Sequence, residues 1–264
     1  MHPILFTLPN GFSIHSYGVL TATAYLVAVW GVRNSARRRG LDPEIAYDMA
    51  LITVVGGLVG SRLEYVRVNW SRFADDPLTI FAIRDGGLVF YGGLIAAVTG
   101  LFLLARKKEI RLGTFFDLTA PWLALGHVFG RLGCLLAGCC HGAPTEVAWA
   151  ITYTSPDTMA PTGVPVHPAQ IYAMAYNFAL FGLLIWMRGR KRFEGQLTLV
   201  YLSIYPVLRS LNELVRGDTE RGYFLEDTLG ELITNAQAIS LGIAILAASL
   251  WLLLIKAAPA RKAG

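Results

Sequence analysis

Seven apolar stretches, an alternation of basic loops and a low charged fraction predict an all-α integral membrane protein. It crosses the bilayer with seven transmembrane helices, amino terminus outside and carboxy terminus in the cytoplasm. The 264 residues are 54% hydrophobic and 16% charged, against about 25% charged in an average soluble domain. A lipid-facing helix needs roughly 20 largely apolar residues, and only helices or closed barrels satisfy their own backbone groups in hydrocarbon. Such stretches lie at about 15–33, 46–66, 87–105, 113–133, 168–187, 196–214 and 235–255.

The first stretch predicts an anchor and not a cleaved signal, because no Lys or Arg precedes it while Arg33, Arg37, Arg38 and Arg39 follow it. Short cytoplasmic loops are enriched in Lys and Arg. With seven spans, those arginines share one side with Arg106, Lys107, Lys108 and Arg111, with Arg188, Arg190, Lys191 and Arg192, and with Lys256, Arg261 and Lys262. The opposite side carries residues 134–167, which contain no Lys or Arg. The net charge of +5 is therefore topological, and nucleic acid is not an expected partner.

No internal repeat or long linker divides the chain, so residues 1–264 read as a single domain with outer loops at about 67–86 and 134–167. The first loop mixes Trp70, Phe73, Ile80 and Phe81 with Arg72, Asp75, Asp76 and Arg84, a composition suited to the headgroup region. The second holds Pro144, Pro156, Pro161 and Pro165, which predicts irregular or short-stranded backbone. Glycines cluster inside the spans, at Gly56, Gly57 and Gly60 and at Gly92 and Gly93, where small residues let helices approach closely. Gly92 and Gly93, beside Tyr91, also allow an unwound turn lining a polar cavity.

Ionisable residues within a span are functional candidates, since an arginine at mid-bilayer costs a few kcal/mol or more. Arg62, Arg131, Arg209, Glu213 and Arg216 all fall near the outer ends of their spans. His127, Arg131, Cys134 and Gly138 follow helical spacing along one face, as do Tyr201, Tyr205, Arg209, Asn212 and Arg216 along another. Convergent guanidiniums suit a phosphate group, and the commonest phosphate in a bilayer is a lipid headgroup. Composition and spacing thus lead to a phospholipid-handling protein, with enzyme, flippase and receptor all open. Cys134, Cys139 and Cys140 lie together at the outer end of the fourth span; with His127 and His141 they match no standard zinc or haem spacing, and no metal is expected.

The motifs resemble those of the bacterial prolipoprotein diacylglyceryl transferase family. They run in order as Ser16-Tyr17-Gly18, Gly60-Ser61-Arg62 with Tyr65-Val66, Gly86 to Gly93, and Gly130-Arg131-Leu132-Gly133 with Gly138 and Gly142. Then follow His167-Pro168-Ala169-Gln170-Ile171-Tyr172, Tyr205 with Arg209, Glu213 and Arg216, and Thr234 with Gln237 and Ser240. The resemblance implies transfer of the diacylglyceryl group of phosphatidylglycerol to the lipobox cysteine of a prolipoprotein, with release of glycerol phosphate, at the outer leaflet of a bacterial inner membrane. Membrane lipids and the lipobox segment are the implied partners, and no cofactor is implied.

The same resemblance assigns catalysis to Arg131, Arg209 and Tyr91, and substrate binding to Tyr17, Arg62, Gly92, Gly93, Cys134, Gly142, Glu213 and Arg216. The pattern departs from the family where a histidine is replaced by Tyr91, and where asparagine, asparagine and glutamate are replaced by Cys134, Ala137 and Cys139. A phenol with an ordinary pKa of about 10 is a weak base for a thiol unless arginines lower it. His127 and Glu213 are the alternative bases. A phospholipid-dependent transferase with another acceptor, or a non-catalytic lipid-binding relative, are the competing readings.

Overall fold

A computed structural model describes residues 1–9, 11–74, 76–82, 86–217 and 234–257, with the side chains of Asn235 and Ala236 excepted. Asp75, Arg84, Arg261 and Lys262 lie outside the described residues. The long helices are α1 (Ser16–Arg38), α2 (Ile45–Val68), α4 (Phe90–Lys107), α5 (Leu112–Ala137), α6 (Ala169–Met187), α7 (Gln196–Glu213) and α8 (Asn235–Ala257). A short α3 (Trp70–Phe73) and a 3-10 turn (Pro77–Phe81) follow α2. Each predicted apolar stretch is thus helical.

Among the described residues five helices, α2, α4, α5, α6 and α8, are long and apolar enough to cross a membrane. Their outward faces carry large apolar side chains such as Leu51, Ile95, Phe178, Ile245 and Leu253, each more than half exposed. Such a surface is stable against lipid and not against water, which makes this a multi-pass membrane protein.

The chain forms two compact units, residues 1–31 with 116–264 and residues 32–115. In the smaller, α2 packs on α4 through glycines. A Cβ at Gly60 would fall on Ala96 and the Gly92 carbonyl, one at Gly92 on Glu64 and the Gly60 carbonyl, and one at Gly93 on Ser61 and the Gly57 carbonyl. In lipid, where no hydrophobic effect drives helices together, this backbone approach supplies the packing energy. Helix α4 runs unbroken through Gly92 and Gly93. The unwound turn anticipated there does not form, because both glycines are taken up by helix contact.

In the larger unit, Ala120 and Ala124 of α5, Leu180 and Leu184 of α6, and Leu197, Val200 and Tyr201 of α7 build a buried core, with Trp251 of α8 packed against it. Helix α1 joins α5 at two glycines: the Trp122 ring lies against Gly31, and Tyr17 lies against Gly133. Thr234 and Gln237 form a capping box before α8. The Gln237 N–H donates to Thr234 Oγ1 at 3.2 Å and the Thr234 N–H donates to Gln237 Oε1 at 2.9 Å. Gln237 Nε2 also donates to the Ser210 carbonyl of α7 at 3.3 Å.

Near the start of α7, the Asp117 carboxylate of α5, 1% exposed, accepts from the N–H groups of Gly195 and Thr198 and the Thr198 hydroxyl, each at 3.0 Å, and from Lys191 Nζ at 3.1 Å. One anion therefore satisfies donors at the helix N-terminus and opposes its positive end. Asp117→Ala strands these donors and leaves Lys191 paired with Glu194 alone. With each unsatisfied buried donor costing roughly 1–3 kcal/mol, it is expected to lower stability by about 2–5 kcal/mol, read as a lower thermal midpoint in detergent.

Two small sheets complete the larger unit. Residues Ile4–Thr7 (β1) and Ser13–His15 (β2) form an antiparallel hairpin that leads into α1, a feature the apolar pattern did not announce. Ser16 is fully buried and its N–H donates to the Pro3 carbonyl at 2.9 Å, tying the hairpin to the helix. In the proline-rich loop, Ile151–Thr152 (β3) pairs with Pro165–Val166 (β4), and a bridge joins Pro144 to Val166.

Candidate functional site

Helix spacing places His127, Arg131 and Cys134 along α5 and Tyr201, Tyr205, Arg209 and Glu213 along α7. Burial of Ala120, Ala124, Val200 and Tyr201 in one core brings those two helices together. At their shared face the Tyr201 and Tyr205 rings stack at 5.1 Å, and the His127 ring lies 4.8 Å from Tyr205. The Tyr201 hydroxyl and His127 Nδ1 are 3.3 Å apart, and Tyr176 of α6 closes the group 6.4 Å from Tyr205.

Arg131 and Arg209 both border this aromatic group. Each lies close enough to His127 and to Tyr176 to act on them electrostatically. Both are partly buried. Neither makes a hydrogen bond or ion pair among the described residues. Two guanidiniums with ten N–H donors between them thus meet a cluster of phenols with their donor capacity unused.

Arg216 and Gly142 sit at the end of the same unit. They pair as an antiparallel bridge, with the Gly217 N–H donating to the His141 carbonyl at 3.1 Å and the Ala143 N–H to the Val215 carbonyl at 2.9 Å. Gly142 also donates to the His167 carbonyl at 3.0 Å, and a Cβ there would collide with His167. Its glycine is therefore demanded by backbone packing. Glu213, 6% exposed, accepts from Arg216 at 3.5 Å.

Cys134, Cys139 and Cys140 are free thiols whose sulfurs lie within 4.8 Å of one another. Tyr17 is near enough to interact with all three. Hydrogen bonds from Cys134 and Cys139, followed by the positive charge of Arg216 and Arg131, hold the Cys140 thiol well below its usual range.

In the smaller unit, Arg62 is buried and fully engaged. Its Nε donates to the Ile80 carbonyl at 2.7 Å, Nη1 to those of Gly86 and Gly87 at 2.7 and 3.2 Å, and Nη2 to those of Thr79 and Ala82 at 2.8 and 3.2 Å. Its guanidinium also lies 5.6 Å from the Tyr65 ring centre and 5.4 Å from that of Phe73. With every N–H on a carbonyl, Arg62 holds the loop. Gly92 and Gly93 lie in the contact between α4 and α2. Tyr91 is half exposed at the start of α4, with its ring 5.8 Å from that of Phe90.

Spacing did not reveal Tyr176 as a neighbour of the two free arginines, because it comes from α6 and joins them only through the fold. Asn177, beside it in α6, is buried with its Oδ1 unpartnered.

A family model described as prolipoprotein diacylglyceryl transferase matches residues 3–253. The chain is similar to the phosphatidylglycerol–prolipoprotein diacylglyceryl transferase of Clostridium tetani, 34% identical over 83% of this chain and 86% of that protein. It is also similar to a second enzyme of that name from Clostridium perfringens, 33% identical over 89% of each chain. The enzyme so named from Chromohalobacter salexigens is 35% identical, over 89% of this chain and 87% of its own.

Proposed function

The chain belongs to the prolipoprotein diacylglyceryl transferase family, and from that premise we propose that it moves the diacylglyceryl group of phosphatidylglycerol onto a prolipoprotein's lipobox cysteine. The observation that carries this reading is the pair Arg131 and Arg209, partly buried, beside one aromatic group and without protein partners among the described residues. Burying two guanidiniums costs free energy unless an anion joins them. A phosphodiester supplies the two oxygens that a planar fork binds.

In the proposed step the acceptor sulfur bonds to the glyceryl carbon that carries the phosphate, and the carbon–oxygen bond to phosphate breaks. The electron pair leaves on oxygen as glycerol phosphate, and the thiol proton passes to a base. Charge grows on phosphate, where preorganised guanidiniums in a water-poor site lower the barrier. A thiol of ordinary pKa about 8.5 is only a few per cent ionised at neutral pH, so proton removal matters. His127 and Glu213, which flank Arg131 and Arg209 along α5 and α7, are proposed as the candidate bases. Tyr17, Cys134, Gly142 and Arg216 are proposed to border the substrate.

Tyr91 is proposed to contribute a hydrogen bond and not to act as the base. Tyr91→Phe is then expected to slow transfer by about fivefold to tenfold, the worth of one such bond. A loss beyond a hundredfold, with the ascending limb of the pH–rate profile displaced, would give Tyr91 the base role instead.

The topology proposed with this function has all seven long helices crossing the inner membrane of a bacterium, amino terminus outside. Helices α1 and α7 carry Arg33, Arg37 and Arg38, and Arg209 and Glu213, which lowers their hydropathy without shortening them. Reporter fusions after residues 108, 192 and 257 test it, since all three must read cytoplasmic.

The test of function is incubation with phosphatidylglycerol and a lipobox peptide, following peptide mass and released glycerol phosphate together. Both products are expected. Glycerol phosphate without a modified peptide would mean another acceptor, and bound lipid with neither product a non-catalytic relative.

A further inference from the structure

Helix α5 ends at Ala137, and two residues with positive φ follow, Gly138 at 79° and Cys140 at 56°. The left-handed region is ordinary for glycine and uncommon for a residue with a side chain. The double reversal folds Cys139 and Cys140 back toward Cys134, one turn before the helix end. The turn is held from several sides: the Gly138 N–H donates to the Cys134 carbonyl at 2.9 Å, the Met159 N–H to the Ala137 carbonyl at 3.1 Å, and Gln170 Nε2 to the Cys139 carbonyl at 2.8 Å. Gln170 is itself fully buried and also donates to the Tyr153 hydroxyl at 3.1 Å.

We propose that Cys134, Cys139 and Cys140 form a three-thiolate site for one soft monovalent cation of the copper(I) class. All three sulfurs lie within 4.8 Å of one another. A metal–thiolate bond of about 2.3 Å in a trigonal plane sets sulfurs roughly 4 Å apart, so closure needs shifts of well under an ångström. Ligand softness and number choose the ion. Thiolates select copper(I) and zinc among common metals; structural zinc takes four protein ligands and a three-ligand zinc site needs a water to complete its tetrahedron, whereas three sulfurs by themselves close a trigonal copper(I) site. Among the described residues no fourth Cys, His, Asp or Glu ligand atom joins the group.

The test uses the whole reduced protein in detergent without oxygen, titrated with copper(I) supplied by a chromogenic chelator. Neither phospholipid nor peptide is present, so the result is independent of the transfer reaction. One copper ion withdrawn per chain is expected, with a thiolate-to-copper ultraviolet band and three sulfur neighbours in X-ray absorption. Cys139→Ser and Cys140→Ser should each abolish the withdrawal while eluting as wild type on size exclusion. The proposal is overturned if wild type takes no more copper than the Cys134→Ser, Cys139→Ser, Cys140→Ser triple variant. It is overturned equally by two-sulfur coordination with one cysteine dispensable, or by zinc held in preference with a fourth, non-sulfur ligand.

Discussion

Arg131→Ala and Arg209→Ala are each expected to lower diacylglyceryl transfer by about a hundredfold to a thousandfold, the usual cost of deleting one preorganised group that stabilises transition-state charge. The thermal midpoint should stay near wild type, because neither guanidinium holds a protein partner among the described residues. Removing a buried charge that lacks such a partner even relieves desolvation in the lipid-free protein. Lysine at either position restores the charge but not the planar fork, so partial recovery is expected, well short of wild type. The measurement is the rate of glycerol phosphate release beside the peptide mass shift, with a melting curve on the same sample. A variant that melts early and is inactive would mean that the arginine is structural.

Arg62→Ala should give the opposite signature, a protein that fails before its chemistry can be assayed. Five backbone carbonyls from Thr79 to Gly87 depend on one guanidinium. A buried carbonyl left without a donor costs roughly 1–3 kcal/mol. If two of the five stay dry the loss is about 2–6 kcal/mol, a large share of the 5–15 kcal/mol that typically separates folded from unfolded. Arg62→Lys offers three donors and no fork, so it should rescue only in part. The expected readout is reduced yield and an early, broad melting transition. A stable Arg62→Ala protein with selectively weakened phospholipid binding would return Arg62 to the substrate site.

The contrast between these arginines shows where a linear reading stops. Arg62, Arg131 and Arg209 look alike in sequence, each a cation near the end of an apolar stretch. What separates them is whether a loop folds back to occupy their donors. That depends on backbone carbonyls at residues 79–87, which carry no side-chain signal. Gly92 and Gly93 pose the same problem, since a glycine that admits a helix and one that lines a cavity have the same composition around them.

The apolar periods of α2, α4, α5, α6 and α8 were legible because the bilayer imposes a length and a polarity on any helix within it, independently of its neighbours. The shared faces of His127 with Arg131 and of Tyr205 with Arg209 were legible for a similar reason, since helical geometry alone puts residues three and four apart on one side. Only the tertiary structure decided the rest. Tyr176 meets Arg131 and Arg209 across helices, the amino-terminal hairpin pairs across a tight turn, and three cysteines unremarkable in their spacing converge through two left-handed residues. The first rests on where separate helices meet in space, which leaves no periodic trace along the chain, and the other two on backbone turns that the apolar pattern does not encode.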